Sequence, residues 1–477
     1  MSIKSKAIKN IVPVILAGGT GSRLWPISRP DLPKQFQPMV GSETMFQQTI
    51  SRVLEMNFEQ KPLIMTNREH LHLVKKQLLE ITTLDIDVIL EPSGRDTGPA
   101  MLIAALQAIK RDPKIYILTF PCDHLIDKIS TIKAAITSNT LDGKAFVAFG
   151  ISPRLASSAY GYIKAGEGNA NELRTIIAFK EKPLKKLAEA YIEAGNYLWN
   201  IGMYLFPAKL LISELKKFEP NMVKHCQAAI FLGDAPNNYL FLNKYSYQHT
   251  RKISIDHALM EKTKLAKVLE IDPQWHDIGS WAAVWECSEH DEFGNVKIGK
   301  VITSKAKNSY IRSEGQLVAV LGVDNLVVIT MDDAVLVADK SQADNLKQLI
   351  DKLKAEKCKE TVAHSNIERP WGNYKMVESG EKFQLKHITV YPGQKLSLQL
   401  HHHRAEHWTI VKGKAEVTVG REVKILGEND AVYIPVETVH RIANPFDEDV
   451  EFIEVQFGDY LGEDDIVRLD DIYDRIA

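Results

Sequence analysis

The sequence predicts an α/β domain with a largely parallel sheet over residues 1–290, a small β module with a linker helix over 291–357, and an all-β domain over 358–477. Three observations carry this. The first 290 or so residues alternate short apolar runs with longer amphipathic segments, the pattern of strand–helix units. Residues from about 295 to 340 hold only short β-rich runs separated by turn residues. From Glu368 onward, short strands recur between turns such as Pro392–Gly393, Lys412–Gly413 and Gly427–Asp430, the spacing of a small sandwich or barrel.

The elements follow in order. Lys4, Lys6 and Lys9 precede the apolar run Ile11–Ala17 and imitate a signal peptide, but the run is short and no small-residue cleavage site follows it. It reads as a buried first strand. Pro62–Thr66, Val88–Leu90, Ile115–Phe120 and Phe146–Phe149 read as further buried strands, with helical patterns such as Ala100–Lys110 between them. In the small module, Leu317–Leu321, Leu326–Ile329 and Ala334–Val337 read as strands around turns at Gly322–Asn325 and Asp332–Asp333. Residues 341–357 read as one charged helix, and the acidic stretch Gly462–Asp465 as a solvated end.

A chain of 477 residues can bury sizeable cores without disulfide or metal staples. Its formal net charge of −2 excludes a general nucleic-acid binder, whose affinity rests on bulk positive charge, and leaves room for a local basic pocket. Cys122, Cys226, Cys287 and Cys358 form no CxxC pair, so free thiols in a reducing compartment are expected. No stretch reaches the length of a membrane span. The expectation is a cytoplasmic protein with neither membrane nor nucleic acid as partner, and the sequence is compatible with a homo-oligomer.

Chemistry enters directly after the first strand, in Gly18-Gly19-Thr20-Gly21-Ser22-Arg23-Leu24-Trp25-Pro26. Glycines there let backbone N–H groups approach phosphate oxygens. A dinucleotide fingerprint would need glycine where Leu24 stands, and a P-loop would need a terminal Gly-Lys-Ser/Thr. Instead Arg23 follows Gly21 by two residues, and Pro33-Lys34 lies further on. Backbone donors plus two cations suit a nucleoside triphosphate attacked at its α-phosphate, with Arg23 and Lys34 neutralising the pyrophosphate that leaves.

The stretch GGTGSRLWPISRPDLPK resembles the signature of sugar-nucleotide pyrophosphorylases, specifically mannose-1-phosphate guanylyltransferases. Five further segments resemble the family's motifs in order: Glu91–Ala100 (EPSGRDTGPA), Pro121–His124 (PCDH), Phe179–Pro183 (FKEKP), Trp199–Met203 (WNIGM) and Trp275–Trp281 (WHDIGSW). The resemblance implies a Rossmann-like, GT-A type nucleotidyltransferase domain taking GTP and mannose 1-phosphate. It assigns Leu16, Ala17, Gly18, Gly19, Gly21, Glu91, Arg95 and Pro121 to the nucleotide. Gly161, Tyr162, Glu181, Lys182, Asn200 and Gly202 go to the sugar phosphate, and Asp123 and Asp277 to Mg²⁺, which prefers oxygen ligands shared with phosphates. Asp96 and Gly98 stand where the family has Asn and Ala, and Ser157-Ser158-Ala159 where it has Glu-Thr-Gly.

Residues 393–413 read GQKLSLQLHHHRAEHWTIVKG. On a strand, Gln399, His401 and His403 share one side. With Glu406 and the distant His440 they make a first shell for Zn²⁺ or another divalent transition metal, and His407 competes with Glu406. The spacing resembles the two motifs of the cupin jelly-roll, except that the His403–Glu406 gap is one residue short and Glu437 stands at a customary glycine. The same region resembles the type II phosphomannose isomerase domain fused to such guanylyltransferases. That implies interconversion of mannose 6-phosphate and fructose 6-phosphate, with Arg404 as a catalytic residue and Lys395 as a second candidate for phosphate. Glu406, His407 and Glu437 all stay open as the proton-shuttling base. The alternative is a cupin that only binds sugar phosphate or assembles copies of the chain.

Overall fold

In the computed structural model, the described residues are 7–19 and 21–473. Lys4, Lys6 and Thr20 therefore lie outside them. The N-terminal domain has twelve strands: β1 (Ile11–Ala17), β2 (Leu63–Asn67), β3 (Asp87–Glu91), β4 (Tyr116–Pro121), β5 (His124–Ile126), β6 (Phe146–Ile151), β7 (Gly161–Ala165), β8 (Leu173–Lys180), β9 (Tyr197–Pro207), β10 (Tyr239–Phe241), β11 (Ala266–Glu270) and β12 (Trp275–Asp277). Ten of them form one sheet in the order β10-β3-β2-β1-β4-β9-β6-β11-β8-β7. The five strands from β10 to β4 are parallel. Beyond β4 the sheet turns mixed, because β9 runs antiparallel to both β4 and β6. The expected largely parallel sheet thus holds for one half only. Apolar runs such as Phe146–Phe149 fix burial, whereas direction depends on how the chain returns.

Two apolar clusters cover the two faces of this sheet. The chain leaves β1 towards β2 and β3, then returns to place β4 on the other side of β1. That is a topological switch point, where α/β sheets collect ligands at the carboxyl ends of their strands.

The small module is wound as a coil. Strands β13 (Val296–Ile298), β15 (Tyr310–Ser313) and β17 (Leu326–Thr330) stack in parallel on one side, with β18 (Val335–Asp339) antiparallel at the edge. β14 (Val301–Ser304) and β16 (Val318–Leu321) stack in parallel on the other. Instead of one helix over 341–357, a short 3₁₀ segment, Lys340–Asn345, leads into the helix Leu346–Ala355. Asp339 caps the first turn by accepting from Ser341 N. A third apolar cluster joins this module to the segment after the glycine loop, with Trp25, Ile27 and Met45 packed with Trp281, Tyr310 and Leu346.

The C-terminal domain is two facing sheets. Its strands are β19 (Asn366–Arg369), β20 (Gly372–Ser379), β21 (Phe383–Val390), β22 (Leu398–His401), β23 (Arg404–Lys412), β24 (Ala415–Val419), β25 (Glu422–Leu426), β26 (Ala431–Ile434), β27 (His440–Ala443), β28 (Val450–Gly458) and β29 (Ile466–Asp470). One sheet runs β19-β20-β21-β28-β23-β26 and the other β25-β24-β27-β22-β29. Trp408, Val417, Ile442 and Phe452 are buried in its core. No helix among the described residues is long and apolar enough to cross a membrane.

Candidate functional sites

At the switch point, Gly18, Gly19, Gly21, Arg23, Lys34, Gln35, Asp123 and Gly279 line a cleft of about 180 Å³. Gly19 and Gly21 have φ of +93° and +55°, which favour glycine. A Cβ on Gly21 would lie 2.7 Å from Lys34 Cγ. Gln35, not foreseen from the sequence, braces the loop by donating from Nε2 to Gly19 O at 3.1 Å. Leu16 accepts from Cys122 N at 3.2 Å, tying β1 to the segment that carries Asp123.

Lys34 is buried and sits between two carboxylates. Its Nζ is 3.2 Å from Asp123 Oδ2 and 3.9 Å from Asp277 Oδ1, and donates to Ile278 O at 3.0 Å. Asp277 lies on β12, which pairs with β5 so that Asp277 faces His124 in register. Burial alone would raise the Asp123 carboxyl, but Lys34 and His124 outweigh it and hold it well below the usual range. Asp123, His124 and Asp277 each offer a ligand atom within 4.8 Å of the others. Two carboxylates suit a hard cation such as Mg²⁺. Arg23 is exposed, and a Cβ built on Gly279 would lie 3.4 Å from its Nη2 and 3.2 Å from Asp277 Oδ2.

From His124 the site continues along β9. A Cβ on Gly202 would lie 3.5 Å from His124 Cε1 and 3.8 Å from Pro121 Cγ. Gly161 pairs with Asn200, and a Cβ there would strike Glu181 Oε2 at 2.5 Å. Glu181 binds Lys182 at 3.1 Å. Asn200 donates from Nδ2 to Tyr204 Oη at 2.7 Å and to Asp256 Oδ1 at 3.1 Å, and Tyr204 Oη donates to Asp256. Burial, and the closeness of the two carboxylates, raise Glu181; burial also raises Asp256. Tyr204 was legible, because it lies four residues after Asn200 on one face of a strand. Asp256 carried no such signal, since only folding brings its turn there.

Two expected contributors face elsewhere. Tyr162 alternates with Gly161, so its buried ring points to the opposite face, where its hydroxyl donates to Ser157 O at 3.0 Å. It supports the Ser157–Ala159 loop, and its ring faces away from the side where Gly161 meets Glu181 and Asn200. Glu91, at the end of β3, is buried and accepts from Tyr247, and burial pushes it up to about 7. Arg95 lies after it, its carbonyl accepting from Ile253 N at 3.3 Å. Asp96 has φ +69° and caps the next helix through Thr97 N, and a Cβ on Gly98 would meet Ile253 O at 2.7 Å.

In the C-terminal domain, His401, Glu406 and His440 come together with 1–2% exposure each. His401 Nε2 is 3.0 Å from Glu406 Oε1, and His440 Nε2 is 3.5 Å from Glu406 Oε2. His440 Nδ1 faces Thr438 O at 2.8 Å, so its proton belongs there and Nε2 keeps its lone pair. Neither nitrogen of His401 nor Nε2 of His440 makes a well-directed hydrogen bond among the described residues. Buried imidazole nitrogens without donors, converging on an ionised carboxylate, fit a divalent transition metal. Glu406 is held down to about 2, burial being outweighed by His401, His440 and Arg404.

The sheet explains who joins. On β23, Arg404, Glu406 and Trp408 point inward, so His407 faces out beside Tyr433 and does not compete with Glu406. His403 lies in the turn after β22 ends at His401, exposed beside Tyr460, so the expected 399-401-403 alternation breaks before it and His403 stays outside the cluster. Gln399 is opposite His440 in register and accepts from Ser397 Oγ at 2.8 Å. Glu437 has φ +64°, the conformation that makes glycine customary, and pairs with His402 outside the barrel. Lys395 bridges through its backbone to Ala443 and is not among the three clustered donors.

Glu454, Gln456 and Trp408 complete the interior. Trp408 Nε1 donates to Glu406 and Glu454 at 3.0 Å each, and Gln456 Nε2 to the same two at 3.1 and 2.8 Å. Polar residues at period two inside the apolar run of β28 were the legible sign of this. The acidic stretch Gly462–Asp465 is no solvated end: Asp465 accepts from His402 N and His403 N, and Gly462 O from Arg404 Nη1 at 2.9 Å. Buried donors at the barrel mouth need acceptors, and this turn supplies them.

Comparison with known proteins places the chain in a family. Residues 12–293 match a nucleotidyl transferase family model, 299–353 a MannoseP isomerase/GMP-like beta-helix domain, and 356–471 a mannose-6-phosphate isomerase C-terminal domain. A mannose-1-phosphate guanylyltransferase of Escherichia coli K12 is 41% identical over 98% of this chain and 100% of its own. The chain belongs to the mannose-1-phosphate guanylyltransferase family. Other members include the xanthan biosynthesis protein XanB of Xanthomonas campestris (42% identical, 98% and 100% covered) and the alginate biosynthesis protein AlgA of Pseudomonas aeruginosa (40%, 98% and 98%). A solved structure described as a mannose-1-phosphate geranyltransferase from Thermus thermophilus superposes with a TM-score of 0.64 at 27% identity, over 72% of this chain and 99% of that one. Members of this family are nucleotidyltransferases, and this one carries a cupin-like C-terminal domain.

Proposed function

We propose that the N-terminal site transfers GMP from GTP to mannose 1-phosphate, releasing pyrophosphate and GDP-mannose. The observation that carries this is Lys34 held between Asp123 and Asp277 beside the glycine loop. An oxygen of the sugar phosphate attacks the α-phosphorus in line, so catalysis rests on positioning and charge neutralisation. The loop glycines present backbone N–H groups to the triphosphate, and exposed Arg23 takes charge on the departing pyrophosphate. Asp123 and Asp277 would hold Mg²⁺, which supplies charge neutralisation at the phosphates. Lys34 lies between the two carboxylates and fixes their spacing. Glu181, with Asn200 oriented by Asp256 and Tyr204, faces the sugar.

We propose further that the barrel interconverts mannose 6-phosphate and fructose 6-phosphate. The supporting observation is the buried His401–Glu406–His440 cluster with its unsatisfied ring nitrogens. These three residues would hold Zn²⁺ or another transition metal, which polarises the carbonyl in an aldose–ketose exchange. Trp408 and Gln456 keep Glu406 oriented, and Arg404 supplies positive charge beside it. The deciding measurement is isomerisation by metal-stripped protein before and after restoring Zn²⁺, Co²⁺, Mn²⁺ or Ni²⁺. Turnover that returns with metal and vanishes in His401→Ala and His440→Ala is the expected result. Absence of turnover with every metal, in protein that still makes GDP-mannose, reduces the barrel to a binding or assembly module.

A further inference from the structure

The barrel contains a second buried cation. Lys386, on β21, is 5% exposed and lies in register with Glu454. Its Nζ is 4.0 Å from Glu454 Oε1 and 3.0 Å from Glu463 Oε1. Glu463 belongs to the C-terminal turn, and its side chain is 60% exposed at the barrel mouth. Glu463 is thus the nearer of the two carboxylates, and it reaches the buried ammonium from a turn at the barrel mouth.

Other charges converge on the same point. Arg404 runs from the metal cluster, with Nε 3.4 Å from Glu406 Oε1, to the turn, where Nη1 donates to Gly462 O. Lys386, Arg404 and Arg369 together hold the Glu463 carboxyl below its usual range although burial would raise it. The mouth thus favours an anion on one side of Arg404, while the other side of the same side chain meets Glu406 of the metal-donor cluster. A sugar 6-phosphate has that polarity: a dianion at one terminus and the reacting C1–C2 pair at the other.

We infer that Lys386, with Arg404, anchors the phosphate of the barrel's sugar phosphate, and that the Glu463 carboxylate takes this anion position until the phosphate displaces it. This rests on the isomerase reading above for the identity of the ligand. The turn is therefore a counter-ion that exchanges with substrate, and its release uncovers the two cations. The exchange keeps two buried positive charges paired in both situations, which is what makes burying them tolerable.

The test uses the full-length, Zn²⁺-loaded protein. Mannose 6-phosphate binding is measured by titration calorimetry, and isomerisation by its KM and kcat. Lys386→Met should weaken binding and raise KM at least about tenfold, the scale of one lost charge-assisted bond, with a smaller change in kcat. Lys386→Arg, which keeps the charge, should recover most of it. Glu463→Gln should tighten binding and lower the concentration at which inorganic phosphate inhibits. Equal affinity in wild type, Lys386→Met and Glu463→Gln overturns the inference. Binding that depends on Lys386 in a protein that turns nothing over supports the anion site while the isomerase reading fails.

Discussion

The two sites solve opposite problems. The N-terminal site is an open cleft built from loops at a sheet edge: Arg23 is exposed, and Asp123 is partly so. The barrel site is built from facing strands, and its three proposed metal donors, His401, Glu406 and His440, are 1–2% exposed. In the cleft, Lys34 lies between the two carboxylates and offsets part of their charge. In the barrel, His401 and His440 keep ring nitrogens without a hydrogen-bond partner among the described residues. An open site can leave part of its balancing to solvent, whereas in a closed one buried polar atoms need a partner inside the barrel.

That contrast can be broken at the cleft first. Lys34→Ala should lower GDP-mannose synthesis by about 10²–10³-fold, the scale of losing one fixed electrostatic contact. Isomerisation measured on the same protein should stay unchanged. A parallel loss of both activities would mean that the sites are not separate.

Next in size is the joint between the regions. Arg29 is fully buried, with a bidentate pair to Asp333 at 2.6 Å and a bond to Ala363 O at 2.6 Å. His364 beside it contacts Asp31 at 3.0 Å and Ile27 O at 3.0 Å. Removing one partner leaves the other buried and uncompensated, so Arg29→Ala should cost about 3 kcal/mol in denaturant unfolding. It should also slow nucleotide transfer, since Arg29 lies between Arg23 and Lys34 in sequence. An Arg29→Ala protein with wild-type stability contradicts this account.

The same joint sets an acid limit. Burial would raise Asp31 and Asp333, but His364 and Arg29 outweigh it and lower both. A carboxyl depressed in the folded state contributes stability above its unfolded value near 4, and loses it as pH falls through the folded value. Melting temperature should therefore fall below about pH 4, and Asp333→Asn should flatten that fall. The smallest effect belongs to Tyr162→Phe. Losing its bond to Ser157 should cost about 1 kcal/mol in stability, with the KM for mannose 1-phosphate nearly unchanged. A large KM change would return Tyr162 to the sugar side.

Much of this is legible in the chain. A buried run followed by glycines, an arginine and a Pro-Lys pair announces a phosphate loop, because few other uses need those residues at that spacing. His401, Glu406 and His440 are legible as residue types with metal chemistry. What the chain does not announce is facing. His403 and Tyr162 depart from expectation because a strand's end, or a one-residue step, reverses the side a residue presents. Asp256, Gln35, Lys386 and Glu463 carry no local signal because each gains meaning only from a neighbour distant in sequence.

The sequence by itself determined which segments are buried, that strand–helix alternation gives way to short β runs, and which residue types have phosphate or metal chemistry, since burial and ligand chemistry are properties of local composition. Tertiary structure decided the mixed half of the sheet, the parallel coil of the middle module, the closure of the barrel by its acidic turn, and the joint of Arg29 with Asp333. Those depend on the return path of the chain and on long-range charge pairing, which no local window of residues encodes.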